Sequence, residues 1–243
     1  MTKEFIRKNV NGGFVNYYEN EGMIMGFTET GFVLNDLAAF FPCSRLVELK
    51  QIHSDLIFSA DEIKQNRDGT PETEGDGIIL EKPGEMGIIK TADCTPLFFW
   101  TADYTMGGVI HIGWQGLLKG IEKKLTAKMQ EKRIPPENIF FHLGPAIEQK
   151  CYEVGTDLYH AFSAKPYRDA VFFPKQGSEK ENQTKYLMDV KKGIYLSLEE
   201  SGVPARNLSD SPLCTFCETG RFPSYRRDKA SGRRIYNFLM LKP

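Results

Sequence analysis

Between residues 77 and 112 the chain falls into four short apolar runs: "GIIL" (77–80), "MGIIK" (86–90), "PLFFW" (96–100) and "GGVIHI" (107–112). Their β-branched and aromatic content, punctuated by Gly and Pro, predicts four strands. At Leu117 the period changes. Leu117, Ile121, Leu125 and Met129 fall four apart in "LLKGIEKKLTAKMQEKR", which puts one apolar stripe on a helix starting near Leu117 and ended by Pro135 and Pro136. "NIFFHLGP" (138–145) predicts a further buried strand and "VGTDLYHAFSAK" (154–165) a helix. "YLMDVKKGIYLSLEESG" reads as an amphipathic helix closed by Gly202. The polar stretch at 61–77 reads as a surface loop between strands, and a second long polar stretch, 174–185, precedes that last helix. Strands grouped in the middle, with helices between and after them, predict an α+β fold rather than a regular βαβ repeat. No repeat, low-complexity block or Pro/Gly/Ser-rich linker divides the chain, so residues 1–243 are expected to form a single domain.

Composition removes several classes of function. With 41% hydrophobic and 26% charged residues, 243 residues suffice for a large core. A net charge of -1 offers no broad basic field for nucleic acid or an anionic membrane. No apolar run is long enough to span a bilayer, and the opening "MTKEFIRKNVNGG" lacks the apolar segment of a signal peptide. Five cysteines are odd in number and sparse, which argues against a disulfide framework. The expectation is a reduced, cytoplasmic protein without a nucleic-acid or membrane partner.

Three residues suggest chemistry. His53 in "LKQIHSD", Cys94 in "KTADCTPLFFW" and His111 in "VIHIGWQG" each stand at the end of an apolar run or inside one. Two imidazoles and a thiolate match the three-ligand pattern of a catalytic zinc with one open position. Such an ion lowers the pKa of its water to about 7. The same residues also admit a thiol nucleophile, Cys94 activated by His111 or His53, with Asp93 orienting a histidine. A free cysteine is also, commonly, just a small buried hydrophobe. Gly113 and Gly116 allow a tight turn into the following helix, whose N–H groups could seat a phosphate, although a plain strand-to-helix turn has the same pattern. Cys214-x-x-Cys217 reads as structural thiols, with a redox pair as the alternative. Arg226 and Arg227, beside Tyr225, present forked donors to a phosphate or carboxylate, unless they are simply a solvated face. Asp76 in "EGDGIIL" and Glu153 in "CYEVG" are further carboxylates for a site or for structure.

Taken in order, "QIHSD", "GDGIIL", "TADCTPLFF", "VIHIGWQG", "LGPAIEQKCYEVG", "LCTFC" and "FPSYRRDKASGRR" resemble the YfiH-like, or laccase-domain, purine nucleoside enzymes, also called polyphenol oxidase-like. The likeness runs from His53 to the end of the chain. It implies a four-layer α/β/β/α sandwich and a zinc held by His53, Cys94 and His111. It also implies phosphorolysis of adenosine, inosine, guanosine and methylthioadenosine, and hydrolytic deamination of adenosine. The expected partners are therefore purine nucleosides and phosphate, with a homodimer as the expected assembly. Some relatives are linked instead to editing of peptidoglycan precursors, and older descriptions assign copper-dependent phenol oxidation.

The chain departs from the family pattern in three places. Gln115 stands where Arg usually follows the Trp, and Thr30 in "GFTETGF" occupies another arginine position. The segment between "LNDL" and "LKQIHSD" is short and lacks the usual "GD…NR" stretch. All three changes remove anion-binding arginines and leave the metal ligands intact. Phosphate must then be met by the helix after Gly116 with Arg226 or Arg227, and Asp93 and Glu153 are the candidates for a proton shuttle. A multi-copper cluster would need more imidazoles than the four histidines supply, while a single Cu²⁺ could take the zinc ligands. Two further readings follow from the same residues. One is a cysteine-type amide hydrolase. The other is a non-catalytic protein with a structural zinc, its fourth ligand drawn from His142 or Cys151.

Overall fold

The computed structural model describes residues 4–176, 184–229 and 231–243. The N-terminal part holds β1 (Ile6–Val10), β2 (Gly13–Glu19), β3 (Met23–Thr28), α1 (Leu34–Phe40) and β4 (Arg45–Glu48). The middle holds β5 (Ile57–Ser59), β6 (Gly77–Leu80), β7 (Glu85–Thr91), β8 (Thr95–Thr101), β9 (Gly107–Ile112), α2 (Trp114–Lys119), α3 (Ile121–Glu131) and β10 (Ile139–Leu143). There follow β11 (Glu153–Val154), α4 (Thr156–Ala161), α5 (Arg168–Val171), β12 (Phe172–Pro174) and β13 (Tyr186–Met188). The chain closes with α6 (Val190–Glu200), β14 (Leu208–Asp210), α7 (Tyr225–Asp228) and β15 (Ile235–Leu241).

Two six-stranded sheets stack face to face. The first has the order β1-β2-β3-β15-β7-β4 and the second β14-β10-β8-β9-β6-β5. Their registers explain the apolar runs, because alternate side chains of one strand face different layers. Phe98 and Trp100 of β8 enter the core between the sheets with Met25, Ile78, Val109 and Leu239. Leu97 and Phe99 point the other way, onto Leu117, Ile121, Leu125 and Met129 of α2 and α3 and Ile194 and Leu198 of α6. The outer face of the first sheet is covered by Phe32, Leu37 and Phe41 from and around α1. Strands buried on both faces read as continuous apolar runs, and each fully buried Phe or Leu contributes about 2 kcal/mol of transfer free energy. The layering is the α/β/β/α sandwich expected. A small third sheet, β11-β13-β12, lies beyond it.

All four predicted central strands form, and three helix assignments change. The helix expected from Leu117 begins at Trp114 and breaks at Gly120, which takes the left-handed conformation at φ 79° and ends α2. The stripe survives the break, since Leu117, Ile121, Leu125 and Met129 are all fully buried. The second helix stops at Glu131, before the prolines, where Arg133 turns left-handed at φ 64°. "YLM" is a strand, and the helix after it starts only at Val190, capped by the Asp189 carboxylate accepting from Lys192 N at 2.9 Å. The helix expected over 154–165 shrinks to α4, with Glu153 and Val154 in a strand. Of the polar stretch at 174–185, residues 177–183 lie outside the described residues. Among the described residues no helix is long and apolar enough to cross a membrane.

Candidate metal centre

Two chain passages between the sheets build the site. β4 belongs to the first sheet and β5 to the second, and His53 lies on the crossing between them. β7 likewise belongs to the first sheet and β8 to the second, and the whole crossing is Ala92, Asp93 and Cys94. Both crossings turn through left-handed backbone at non-glycine residues, His53 at φ 56° and Asp93 at φ 83°. Such conformations cost about 1 kcal/mol or more each and persist where surrounding contacts impose them. The third side chain comes from β9, where His111 pairs with Pro96, two residues beyond Cys94. The ligand atoms of His53, Cys94 and His111 all lie within 4.8 Å of one another. Gly113 leaves room for them: a β-carbon there would stand 2.9 Å from Cys94 Sγ and 3.4 Å from His53 Cδ2.

Asp76 holds this arrangement together. Its buried carboxylate accepts from the backbone N–H groups of Ile52 (3.3 Å), His53 (3.1 Å) and Ser54 (2.6 Å) and from Ser54 Oγ at 2.7 Å. Oδ1 also meets His111 Nδ1 at 2.8 Å. Burial alone would raise its pKa, but the bonds from His111 and Ser54 bring it down to about 2. An ionised Asp76 fixes Nδ1 of His111 as a donor and turns Nε2 toward the cluster, the outer-shell pattern of metal-binding histidines. Burial likewise raises the Cys94 thiol, and His111 and His53 more than offset it, to about 6. Burial lowers His111, and Cys94 and Asp76 raise it to about 9. The donor set therefore fits a transition-metal ion with an open coordination position. His142 and Cys151 do not join it. His142 packs between Phe5 and Phe98 and bonds Ser209 Oγ at 3.0 Å, while Cys151 lies beside Cys217.

The cluster stands between two cavities. One, of about 350 Å³, is lined by His53, Asp93, Cys94, Gly113, Trp114, Gln115, Tyr152, Tyr225 and Arg226. The other, of about 640 Å³, shares His53, Cys94 and Tyr225 and adds His111, Lys50, Lys90 and Arg234. Burial, with the nearby charges of Cys94 and Asp93, pushes the Tyr152 phenol up to about 12 against the pull of Arg226.

The remaining sequence candidates divide sharply. Asp93 lines the first cavity with its carboxylate taken: Thr215 Oγ1 (2.7 Å), Ser224 Oγ (2.9 Å) and Arg226 N (2.7 Å) all donate to it. Arg226 donates one N–H to Glu153 O at 2.8 Å and lies over the Tyr152 ring. Its neighbour Arg227 has every guanidinium N–H engaged, by the carbonyls of Thr215, Phe216 and Phe222 and by the Asp228 carboxylate. Glu153 pairs with Lys175 and Lys185 and lines neither cavity. Gly116 lies inside α2, not in the turn, and a β-carbon there would meet only ordinary contacts from 3.5 Å. Thr30 lines neither cavity and donates its N–H to Arg221 O at 2.9 Å.

Several lining residues escaped sequence reasoning. Tyr152, Lys50, Lys90 and Arg234 carry no local signal beyond sitting next to motif residues. The role of Asp76 had one: an acid between two glycines directly before an apolar strand, "GDGIIL".

Known proteins match the chain in sequence and in fold. The family model described as "Multi-copper polyphenol oxidoreductase laccase" matches residues 34–242. The purine nucleoside phosphorylase of Rickettsia prowazekii (strain Madrid E) is 32% identical over 213 residues, 87% of this chain and 80% of that protein. The purine nucleoside phosphorylase YfiH of Escherichia coli (strain K12) is 31% identical over 190 residues, 78% of this chain and 72% of that protein. In fold, the crystal structure of YlmD from Geobacillus stearothermophilus superposes with a TM-score of 0.81 at 23% identity, covering 99% of this chain and 100% of that one. With that span of sequence matched and the sandwich shared end to end, the chain belongs to the YfiH/YlmD family of laccase-like domains, whose similar curated members bear the name purine nucleoside phosphorylase.

Proposed function

We propose that the protein is a zinc-dependent purine nucleoside enzyme that splits adenosine, inosine, guanosine and methylthioadenosine with phosphate and deaminates adenosine hydrolytically. One observation carries the reading. His53, Cys94 and His111 converge within 4.8 Å at the boundary shared by two cavities, one edged by aromatic rings and the other by cationic side chains. His53, Cys94 and His111 would hold the ion, and Asp76 would orient His111. When bound, zinc supplies Lewis acidity and hydroxide near neutral pH. A single Cu²⁺ could occupy the same donors, but two imidazoles are too few for a copper cluster, and His160 stands apart on α4.

The chain's own residues do the rest. Trp114, Tyr152 and Tyr225 offer ring faces to a purine, and the Gln115 amide offers a donor and an acceptor to its edge. The Tyr152 phenol, its pKa pushed up by burial, would offer a donor to a substrate in the first cavity. Phosphate is met by Arg226, which keeps N–H groups beyond its bond to Glu153, and by Lys50, Lys90 and Arg234 around the second cavity. Lys50 and Lys90 pair with Glu74 and Glu48, which they must exchange for the anion. Arg227 builds the wall instead of gripping the substrate. Asp93 holds the backbone N–H of Arg226 and so positions the anion-binding side chain, its carboxylate being taken by Thr215, Ser224 and Arg226 N. Of the two positions where another residue stands for an arginine, Gln115 lines a cavity and Thr30 does not.

The test is to incubate the zinc-loaded protein with adenosine, with and without phosphate, and to separate products by chromatography beside Cys94→Ala. Adenine formed only with phosphate, inosine formed without it, and loss of both in Cys94→Ala are the expected results. Neither product from intact, zinc-loaded protein would overturn the reading.

A further inference from the structure

Three of the four cysteines outside the candidate metal centre also converge. Cys151 ends the turn before β11, and Cys214 and Cys217 belong to the segment between β14 and α7. Their sulfurs all lie within 4.8 Å of one another, with Cys151 and Cys217 3.3 Å apart. All three are free thiols. We propose that Cys151, Cys214 and Cys217 form a second metal site, a three-thiolate seat for one Zn²⁺ that ties the 146–153 loop to the 213–217 turn.

The geometry suits such an ion. Zinc bound 2.3 Å from each sulfur in a tetrahedral arrangement sets the sulfurs about 3.8 Å apart, inside the observed spread. Backbone N–H groups from both segments point at the Cys214 sulfur: Glu148 N of the facing loop reaches Cys214 Sγ at 3.4 Å, and those of Phe216 and Cys217 in the Cys-x-x-Cys turn face it as well. N–H groups aimed at a sulfur stabilise it as a thiolate, the form that binds metal. Arg227, holding the carbonyls of Thr215 and Phe216, adds a positive charge to the turn that carries Cys214 and Cys217.

Simpler explanations cover the sulfurs less well. Three thiols packed as small hydrophobes would be buried, yet Cys217 is exposed and Cys151 only half-buried. A Cys151–Cys217 disulfide would leave Cys214 and its N–H donors without a purpose. The two segments are already paired as a ribbon, with Thr215 N donating to Ala146 O at 3.0 Å and Ala146 N to Leu213 O at 3.3 Å. The exposed Cys217 gives an ion its path in and leaves a fourth position for water. The site also backs the first cavity, because Tyr152 follows Cys151 and Thr215, which bonds Asp93, follows Cys214.

The experiment uses the full chain under reductant, freed of metal with chelator and titrated with Zn²⁺ or Cd²⁺. Native mass spectrometry counts ions, and ultraviolet sulfur-to-cadmium charge transfer reports thiolate ligation. Cys94→Ser removes the first centre, so whatever still binds in that variant reports on the second. One ion per chain is expected in Cys94→Ser, weakened by about 100-fold or more on adding Cys217→Ser or, as an independent check, Cys151→Ser. Circular dichroism confirms that each variant folds. Cys94→Ser binding no ion would overturn the proposal, as would binding unchanged by either added substitution or a Cys151–Cys217 disulfide that persists under reductant and zinc.

Discussion

Asp76, bonded to His111, and Asp93, next to Cys94 in the chain, are both buried aspartates, yet they serve different parts of the molecule. Asp76 gathers the 52–54 turn and His111, so it sets where the candidate metal ligands stand. Asp93 gathers Thr215, Ser224 and Arg226, so it sets where the cavity wall stands. The lesson is that a carboxylate's role in a site follows from the donors that reach it, not from its distance to the chemistry along the chain. Asp93 adjoins a ligand in sequence and serves the wall, whereas Asp76 is 17 and 18 residues short of the 93–94 pair and serves the ligands.

Three substitutions sharpen that contrast. Asp76→Asn should have the largest effect, because an amide NH₂ would face N–H donors that now share a carboxylate. A loss of about 4 kcal/mol in denaturant unfolding is expected, with zinc affinity down about 10- to 100-fold by chelator competition. The contribution of Asp76 has a pH window. With its pKa near 2 in the fold and near 4 when unfolded, the stabilisation is present above about pH 4 and disappears as pH falls toward 2. Asp93→Asn should cost somewhat less, about 3 kcal/mol, since it loosens one wall. Its signature is a raised KM for nucleoside or phosphate with zinc stoichiometry unchanged. Equal loss of zinc in both variants would erase the distinction.

The smallest effect should carry the opposite sign. Glu122 on α3 is fully buried and accepts from Ser197 Oγ, but its Oε2 has no partner. Burial pushes its carboxyl up to about 7 despite the Ser197 bond. The folded chain therefore keeps a proton that the unfolded chain releases near 4.5, and stability falls as pH rises from about 4.5 to about 7. Glu122→Gln should remove that decline and stabilise the protein above pH 7 by about 2 kcal/mol, read from melting curves across pH.

How much of this was legible depended on how local each signal is. The central strands announced themselves because apolar runs buried on both faces have no other easy fate. The Asn11-Gly12 turn that closes β1 on β2, with both residues left-handed, is an equally local signal. The break at Gly120 was hidden, because the apolar stripe continues across it in unbroken register. "YLM" was hidden too, since three residues cannot display a period. His53, Cys94 and His111 were legible as a set through the order of motifs. Asp76 was legible only as a candidate carboxylate in "GDGIIL", and its partners were not, because they lie 22 to 35 residues away. The thiol trio is more remote still: Cys151 and Cys217 are 66 residues apart, and no spacing rule brings them together.

The three-residue passage Ala92–Cys94 has a mechanical consequence. His53 and Cys94 ride on the strips of chain that leave one sheet for the other, while His111 is fixed within the second sheet. Any sliding of one layer across the other must change the spacing of these three side chains. A cation gripping all of them would work as a rivet through the sandwich, so occupancy of the centre and shear stiffness between the layers would rise and fall together.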